Sequence, residues 1–568
     1  MKKYITKSWL VSALLIFTVG FNSCTDLEEK PYDKISYEAF YQTKDDVIRS
    51  FLRTYEHGYW SINSAIYHMQ ENTADQLMTL TRENHWFDGG TYVREHYHTW
   101  TPEEGYLKEA WNALFVGITL ANNSIEDIEV LNPAEFDMTA EEIELFVAEL
   151  RVMRAWYYIK ALDLFRNVPV FTKYKTEDLA PPQVSPKETF DFIESELLDA
   201  MDNLGKKGDE GINSNRWTKA GAASLLARLY LNADVYIGED HYSECSKICQ
   251  DIIDGQYGTY AIEDRWDAPF DYNNDKSDET IFAFPGSFGF THWHYQGGMY
   301  WWSLPFQAHL YLEFEDWGWA NPRFGLQPGR NVDDELYEFS SGLGQPYVKF
   351  QKYPDDVRLT KYKNLGGNQR EGMFLFGYLE YGNGEKVKSD VGKELYIRDA
   401  VGHFGELGPG VYPEDKTSNM THGDQNSGVY HVKYPMYKST DSEKMESDYA
   451  EVRLAEIYYT LAECKFRAGA VGEAETLLNS VRKRYYPEGS ESLYNSELTE
   501  KELIDEWGRE FLAEGRRRTD LVRWDKFTTG NWWDKSPDGE GKEYLNVFPI
   551  SNEVLSISQQ LKQNPGYE

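Results

Sequence analysis

The sequence predicts a mainly α-helical protein, a tetratricopeptide-like scaffold of helical pairs with a large irregular, loop-rich insertion that carries short strands. Three observations predict it. Amphipathic stretches with apolar residues at helical spacing occupy both ends of the chain. Between about 255 and 448 that spacing fails, and Gly, Asn, Asp and aromatic residues take over. A 0, +4, +7 pattern of small and apolar residues recurs, each time after a longer helix.

The elements follow in order. Lys2, Lys3 and Lys7 precede the apolar run WLVSALLIFTVG (9–20), which is too short to span a bilayer and fits a secretory leader. Ser23 and Cys24 come next, then the acids Asp26, Glu28 and Glu29. No later apolar run is long enough for a transmembrane helix. Helical periodicity covers 37–67, 107–131 and 140–165, with Pro169 beyond the last. Ser185, Pro186 and Glu188 read as N-cap, first helical residue and capping-box partner of a helix that Gly205 ends. Helices return over 449–484 and 499–515. The repeated pattern is Ile193, Leu197, Ala200, then Cys245, Cys249, Ile252, then Ala474, Leu478, Val481, with Ala462 twelve residues ahead of Ala474. These follow helices 140–165, 217–232 and 449–468. A small residue at such positions lets two helices approach closely. Cys245 and Cys249, four apart on one helix, therefore read as packing residues rather than a disulfide.

Composition narrows the function. Across 568 residues, 58 Lys and Arg stand against 94 Asp and Glu, a formal net charge of −36. Such a surface repels phosphate backbones and anionic lipid, which argues against nucleic acid and polybasic membrane docking. Aromatics make up 15% of the chain, with 17 Trp and 41 Tyr, far from the composition of a disordered acidic chain. Acids beside many Trp and Tyr suit a neutral, hydroxyl-rich ligand, because sugar rings present C–H faces for stacking and hydroxyls for carboxylates and amides.

Several stretches resemble one family. ELRVMRAWYYIKALDLFRNVPV (149–170), RWTKAGAASLLARLYL (216–231), RLAEIYYTLAEC with LLNSVRKR, GREFLAEGRRRTDLVRW (508–524) and VFPISNEVLSISQQLKQNPGY (547–567) are similar, in order, to the motifs of the SusD/RagB family. FNSC resembles a relaxed lipobox, and the following acids a surface-export signal. The resemblance implies a nutrient-binding lipoprotein of the outer membrane, lipidated at Cys24 and displayed at the cell surface. The resemblance further implies that the protein caps a SusC-like TonB-dependent transporter and captures an oligosaccharide or polysaccharide. It divides the chain into a leader (1–23), a lipidated tether (24–36) and a SusD-like domain (37–568). That domain comprises a helical scaffold (37–254 and 449–568) and a ligand-binding region (about 255–448, plus loop 74–100). No enzyme signature such as H-E-x-x-H, a P-loop or G-x-S-x-G occurs, so no catalytic residue and no cofactor are expected. The alternatives are a peptide-binding member of the same family and a glycoside hydrolase, which needs only two carboxylates.

Two aromatic loops are the expected ligand platform. The first gives Asp75, Arg82, Trp86, Asp88, Tyr92 and Trp100, the loop in which the family places ligand contacts. The second, FTHWHYQGGMYWWSLP (290–305), gives Trp293, Tyr300, Trp301 and Trp302. Adjacent Trp side chains on an extended segment point to opposite sides, so Trp301 and Trp302 are not both expected in one core. The pairs His96/His98 and His292/His294, and the trio Asp271, Asn273 and Asp275, have metal-like spacing but lack the further ligands that a zinc or calcium site needs. No metal is expected. Glu510, Glu514, Arg517, Asp520 and Arg523 resemble a catalytic cluster, but at helical spacing they read as an ion-pair network.

Overall fold

The structure is a computed structural model that describes residues 40–174, 180–286, 302–313, 323–367, 369–389, 391–438, 446–496 and 498–568. The chain divides into two compact units, Met1–Ile48 and Arg49–Glu568, and the scaffold pairs and the insertion lie in the second.

Helix α1 (Lys44–Ser61) passes into a π-helical turn, Ile62–Ile66, and then α2 (Tyr67–Glu71). The single helix expected across 37–67 is thus interrupted by a π segment, which leaves the hydrophobic period intact on either side and is not visible in it. Loop 74–100 carries the short strand β1 (Leu77–Met78) and helix α3 (Thr91–His96). Helices α4 (Gly105–Ile128) and α5 (Ala140–Phe165) follow. Thr139 caps α5: its hydroxyl accepts from Glu142 N at 3.1 Å, and its own N–H donates to the Glu142 carboxylate at 2.8 Å. Helix α6 (Pro186–Met201) starts on the expected box, with Ser185 N donating to Glu188 at 2.9 Å. It stops before Gly205, whose backbone is not left-handed. Asp202 closes the helix, and Gly205 instead packs its bare Cα against the Ile212 side chain.

Helices α7 (Lys219–Leu231) and α8 (Tyr242–Ile253) complete the first half of the scaffold. The pairs α4/α5, α5/α6 and α7/α8 pack side by side. The repeated positions Ile193, Leu197, Ala200, Cys245, Cys249 and Ile252 are all buried.

The insertion then begins with strand β2 (Thr280–Phe284), followed by β3 (Gly325–Leu326) and helix α9 (Pro346–Gln351). Short strands β4 (Gly377–Tyr378) and β5 (Tyr396–Ile397) pair antiparallel. The chain returns through strand β6 (Tyr449–Arg453). This corrects the helix expected from 449: Tyr449–Arg453 pairs antiparallel with β2, and all of its residues are buried. A short strand buried on both faces has no alternation to show, and it runs without a break into α10 (Leu454–Arg467). Helix α11 (Val471–Arg482) packs on α10, with Ala462, Ala474, Leu478 and Val481 buried.

The two scaffold halves meet across the insertion, where α8 packs on α10. Cys245, Cys249 and Cys464 come together at this contact as buried free thiols, and burial pushes the Cys245 and Cys249 thiols up. They are inert packing groups.

Helices α12 (Glu500–Glu510) and α13 (Arg517–Arg523) close the fold with the expected ion pairs. Arg453 bonds Glu510 at 2.6 Å, Glu514 at 2.8 Å and Glu279 at 3.2 Å. Arg484 joins Glu279 and Glu510, and Arg523 joins Glu463 at 2.8 Å and Asp520 at 2.9 Å. Burial alone would raise the Glu510 carboxyl, but the guanidinium groups of Arg453 and Arg484 outweigh it and hold the carboxyl well below the ordinary range. Because Glu279 lies beside β2, this network fastens the insertion to the C-terminal helices.

Candidate functional site

The antiparallel pairing of β1 with β3 sets up the site. Leu77 faces Leu326 and Met78 faces Gly325, which brings loop 74–100 against the segment that ends at Phe324. The Arg323 and Phe324 N–H groups both donate to the Trp302 carbonyl, at 2.8 and 2.7 Å, fixing Trp302 beside that junction.

Four aromatic rings then surround one cation. The Arg323 guanidinium lies 4.4 Å from the Trp302 ring centroid, 5.1 Å from Tyr92, 5.1 Å from Phe324 and 5.6 Å from Trp86. Trp86 and Tyr92 meet edge to face at 6.4 Å. Trp86 and Trp302 are half-buried, Asp88 is exposed, and Phe87 stands 53% exposed beside them. Burial, chiefly, pushes the Tyr92 hydroxyl up to about 12, so it remains a donor at neutral pH. Trp86 Nε1 and Arg323 Nε have no hydrogen-bond acceptor among the described residues.

The loop is held in an uncommon conformation. Trp86 and Asp88 have φ of +63° and +42°, and Gly89 and Gly90 follow at +63° and +82°. A tryptophan in the left-handed region costs backbone energy, and such residues gather where a ligand-facing side chain must be aimed.

The remaining sequence-predicted residues go elsewhere. Asp75 is fully buried and takes two bonds from Arg517, at 2.7 and 3.1 Å, and one from Gly344 N at 2.8 Å. Arg82 is fully buried, donates to the Asp424 carbonyl at 3.0 Å and to that of Ser427, and lies over the Tyr430 ring. Trp100 is buried and donates to the Tyr567 hydroxyl at 2.9 Å. From these buried positions the three tie loop 74–100 to the rest of the fold, which sets them apart from the half-buried Trp86 and Trp302. Trp293, Tyr300, Trp301, His292, His294 and Cys24 lie outside the described residues. His96 and His98 do not converge on a metal. His96 Nε2 donates to the Trp533 carbonyl at 3.0 Å, and His98 faces Asp538 at 2.7 Å and the Thr73 carbonyl at 2.8 Å. Asp271 is held by Arg265 at 2.9 Å and by the Tyr437 hydroxyl.

The place of Arg323 and Phe324 in this ring cluster is not legible in the sequence. Their place depends on the pairing of β1 with β3, strands of two residues each that lie far apart in the chain. The one sequence signal is a cation set among aromatics in EDWGWANPRFG.

Comparison with known proteins points one way. The family model for the SusD family matches residues 381–567, and that for "starch-binding associating with outer membrane" matches 27–231. The starch-binding protein SusD of Bacteroides thetaiotaomicron is 25% identical over the whole of both chains. A SusD-like protein of Formosa agariphila is 22% identical over 98% of this chain and 96% of its own. This chain is a SusD-like protein. The fold of solved relatives agrees. A laminarin-binding SusD-like protein superposes with a TM-score of 0.63 at 19% identity, covering 93% of this chain and 100% of the other. NanU of B. fragilis superposes with a TM-score of 0.65 at 17% identity, covering 95% and 99%. SusD-like proteins form a family of starch- and glycan-binding proteins associated with the outer membrane. In this SusD-like protein no helix among the described residues is long and apolar enough to cross a membrane.

Proposed function

We propose that this SusD-like protein captures a glycan chain on the platform of Trp86, Tyr92, Trp302 and Arg323, and passes it to a SusC-like TonB-dependent transporter. A lipid on Cys24 holds it to the outer membrane at the cell surface, and it does no chemistry on the glycan. The observation that carries this reading is the ring cluster itself. Half-buried tryptophan faces accept the C–H face of a sugar, and a cation fixed among rings keeps them in place at low entropic cost. Asp88, exposed at the rim, accepts from hydroxyls, and Trp86 Nε1 is a donor without an acceptor among the described residues.

The relatives bind starch and laminarin, both glucans, so glucans are the first ligands to try. The full chain is titrated calorimetrically with malto-oligosaccharides, laminari-oligosaccharides and a peptide panel. Saturable binding of a glycan, weakened at least tenfold by Trp302→Ala, is the expected result, and tenfold corresponds to about 1.4 kcal/mol. Binding of peptides alone would favour a peptide carrier, and release of shorter sugars would favour a hydrolase. Co-purification of the transporter with the tagged chain from outer membranes tests the delivery step.

A further inference from the structure

The insertion holds a pocket of about 210 Å³ that shares no lining residue with the Trp86 cluster. Strands β4 and β5 and helix α9 build it, and the rings of Tyr347, Phe376, Tyr396 and Tyr412 line it. Tyr412 stands 41% exposed. The Arg398 guanidinium helps to fix the shape. It lies over the Tyr396 and Phe404 rings at 4.6 and 4.5 Å, and it donates to the carbonyls of Tyr396 at 2.8 Å, Leu407, and Gly408 at 3.2 Å.

Asp399 is the polar group of interest. Its Oδ1 accepts from Gly329 N at 2.9 Å. Its Oδ2 is shut off from solvent and has no hydrogen-bond partner among the described residues. A buried acceptor left unpaired costs about 1–3 kcal/mol, more if charged. Burial pushes the carboxyl up to about 7, against the Gly329 N–H and the Arg330 charge, which pull it down.

The chemistry of the lining selects among ligands. An anion meets Asp399 and a chain of net charge −36. A cation meets Arg330 and Arg398, which also line the pocket. A purely apolar group leaves Asp399 unsatisfied. A neutral ring with hydroxyls on its edge and C–H groups on its faces satisfies both the carboxyl and the tyrosines. The pocket falls below the roughly 300–1,000 Å³ of sites for larger ligands, which suits one ring rather than a chain.

We propose that this pocket is a second sugar site, separate from the Trp86 platform, that takes a single neutral pyranose residue against Tyr396, Tyr412 and Asp399. The proposal rests on the glycan-binding reading for its choice of ring. Two sites on one chain would let a long glycan be held on the platform while one of its residues or branches is gripped in the insertion, raising the effective concentration at both.

The test uses the full chain and the methyl pyranosides of glucose, galactose, mannose and xylose, read by saturation-transfer NMR and calorimetry. At least one glycoside is expected to bind the wild type and the Trp86→Ala variant alike, and at least fivefold more weakly to Tyr412→Ala and to Asp399→Asn. Tyr412→Ala removes an exposed ring, so its unfolding midpoint should match the wild type even if Asp399→Asn alters folding. The proposal is overturned if no glycoside binds the wild type, or if Tyr412→Ala binds as the wild type does. It is also overturned if Trp86→Ala abolishes single-sugar binding, because the sugar then sits on the platform. Loss of oligosaccharide binding in Trp86→Ala with no effect of Tyr412→Ala leaves the platform standing and removes only the pocket.

Discussion

His431 shows how one buried side chain can set the acid limit of the whole fold. It is 5% exposed, and neither ring nitrogen has a partner among the described residues. Burial, with Lys433 nearby, pushes its pKa down to about 3. The folded state therefore keeps the ring neutral while the unfolded chain protonates it near pH 6.5. The stability this gives is complete above about pH 6.5 and is lost as pH falls toward 3, amounting to about 2 kcal/mol at pH 5. His96, likewise pushed down to about 3 by burial, adds a term of the same sign. Urea unfolding at pH 7 and pH 5 checks it: His431→Phe should lose less stability on acidification than the wild type, and parallel losses would contradict the assignment. The site residues divide at the same scale. Trp86 and Trp302 stand out as candidates because aromatics outside any helical period have no packing role in the sequence pattern. Asp75, Arg82 and Trp100 could not be told from them, since their partners Arg517, Ser427 and Tyr567 lie hundreds of residues away.

At the scale of elements, the scaffold depends on close helix contacts that the sequence marks with small residues. Gly117 on α4 faces Tyr157 on α5, and a Cβ there would fall 2.2 Å from the ring carbon Cζ. Tyr157 is fully buried and donates to the Thr54 carbonyl at 2.9 Å, so it has little room to move. Gly117→Ala should destabilise the protein by about 1–3 kcal/mol through overpacking, against the slight gain that alanine brings to an open helix. Thermal unfolding reads the sign directly. Helices were legible wherever both a period and a cap were present, as in α5 and α6. Strand β6 was not, because its five residues are buried on both faces and its partner β2 lies across the insertion. The π turn between α1 and α2 was hidden for a related reason: one extra residue barely disturbs a hydrophobic stripe.

For the whole molecule, the order of the motifs carried the family, while the loops proposed to hold the ligand left little trace. The scaffold could be read because helical pairing is local. The platform joins residues 86 and 92 to 302 and 323, a contact that two short strands and the carbonyl of Trp302 create. Anchoring belongs to this scale as well. Cys24→Ala should leave circular dichroism and the unfolding midpoint unchanged but move the protein out of the outer-membrane fraction. Retained lipid labelling of that variant would contradict the anchor.

The most direct test of the central claim is the affinity of the full chain for a glucan oligosaccharide with and without the Trp86 and Trp302 rings. The account predicts saturable binding by the wild type, a loss of at least tenfold in Trp86→Ala and in Trp302→Ala, and unchanged unfolding midpoints in both. Equal affinity in the wild type and both variants would contradict it.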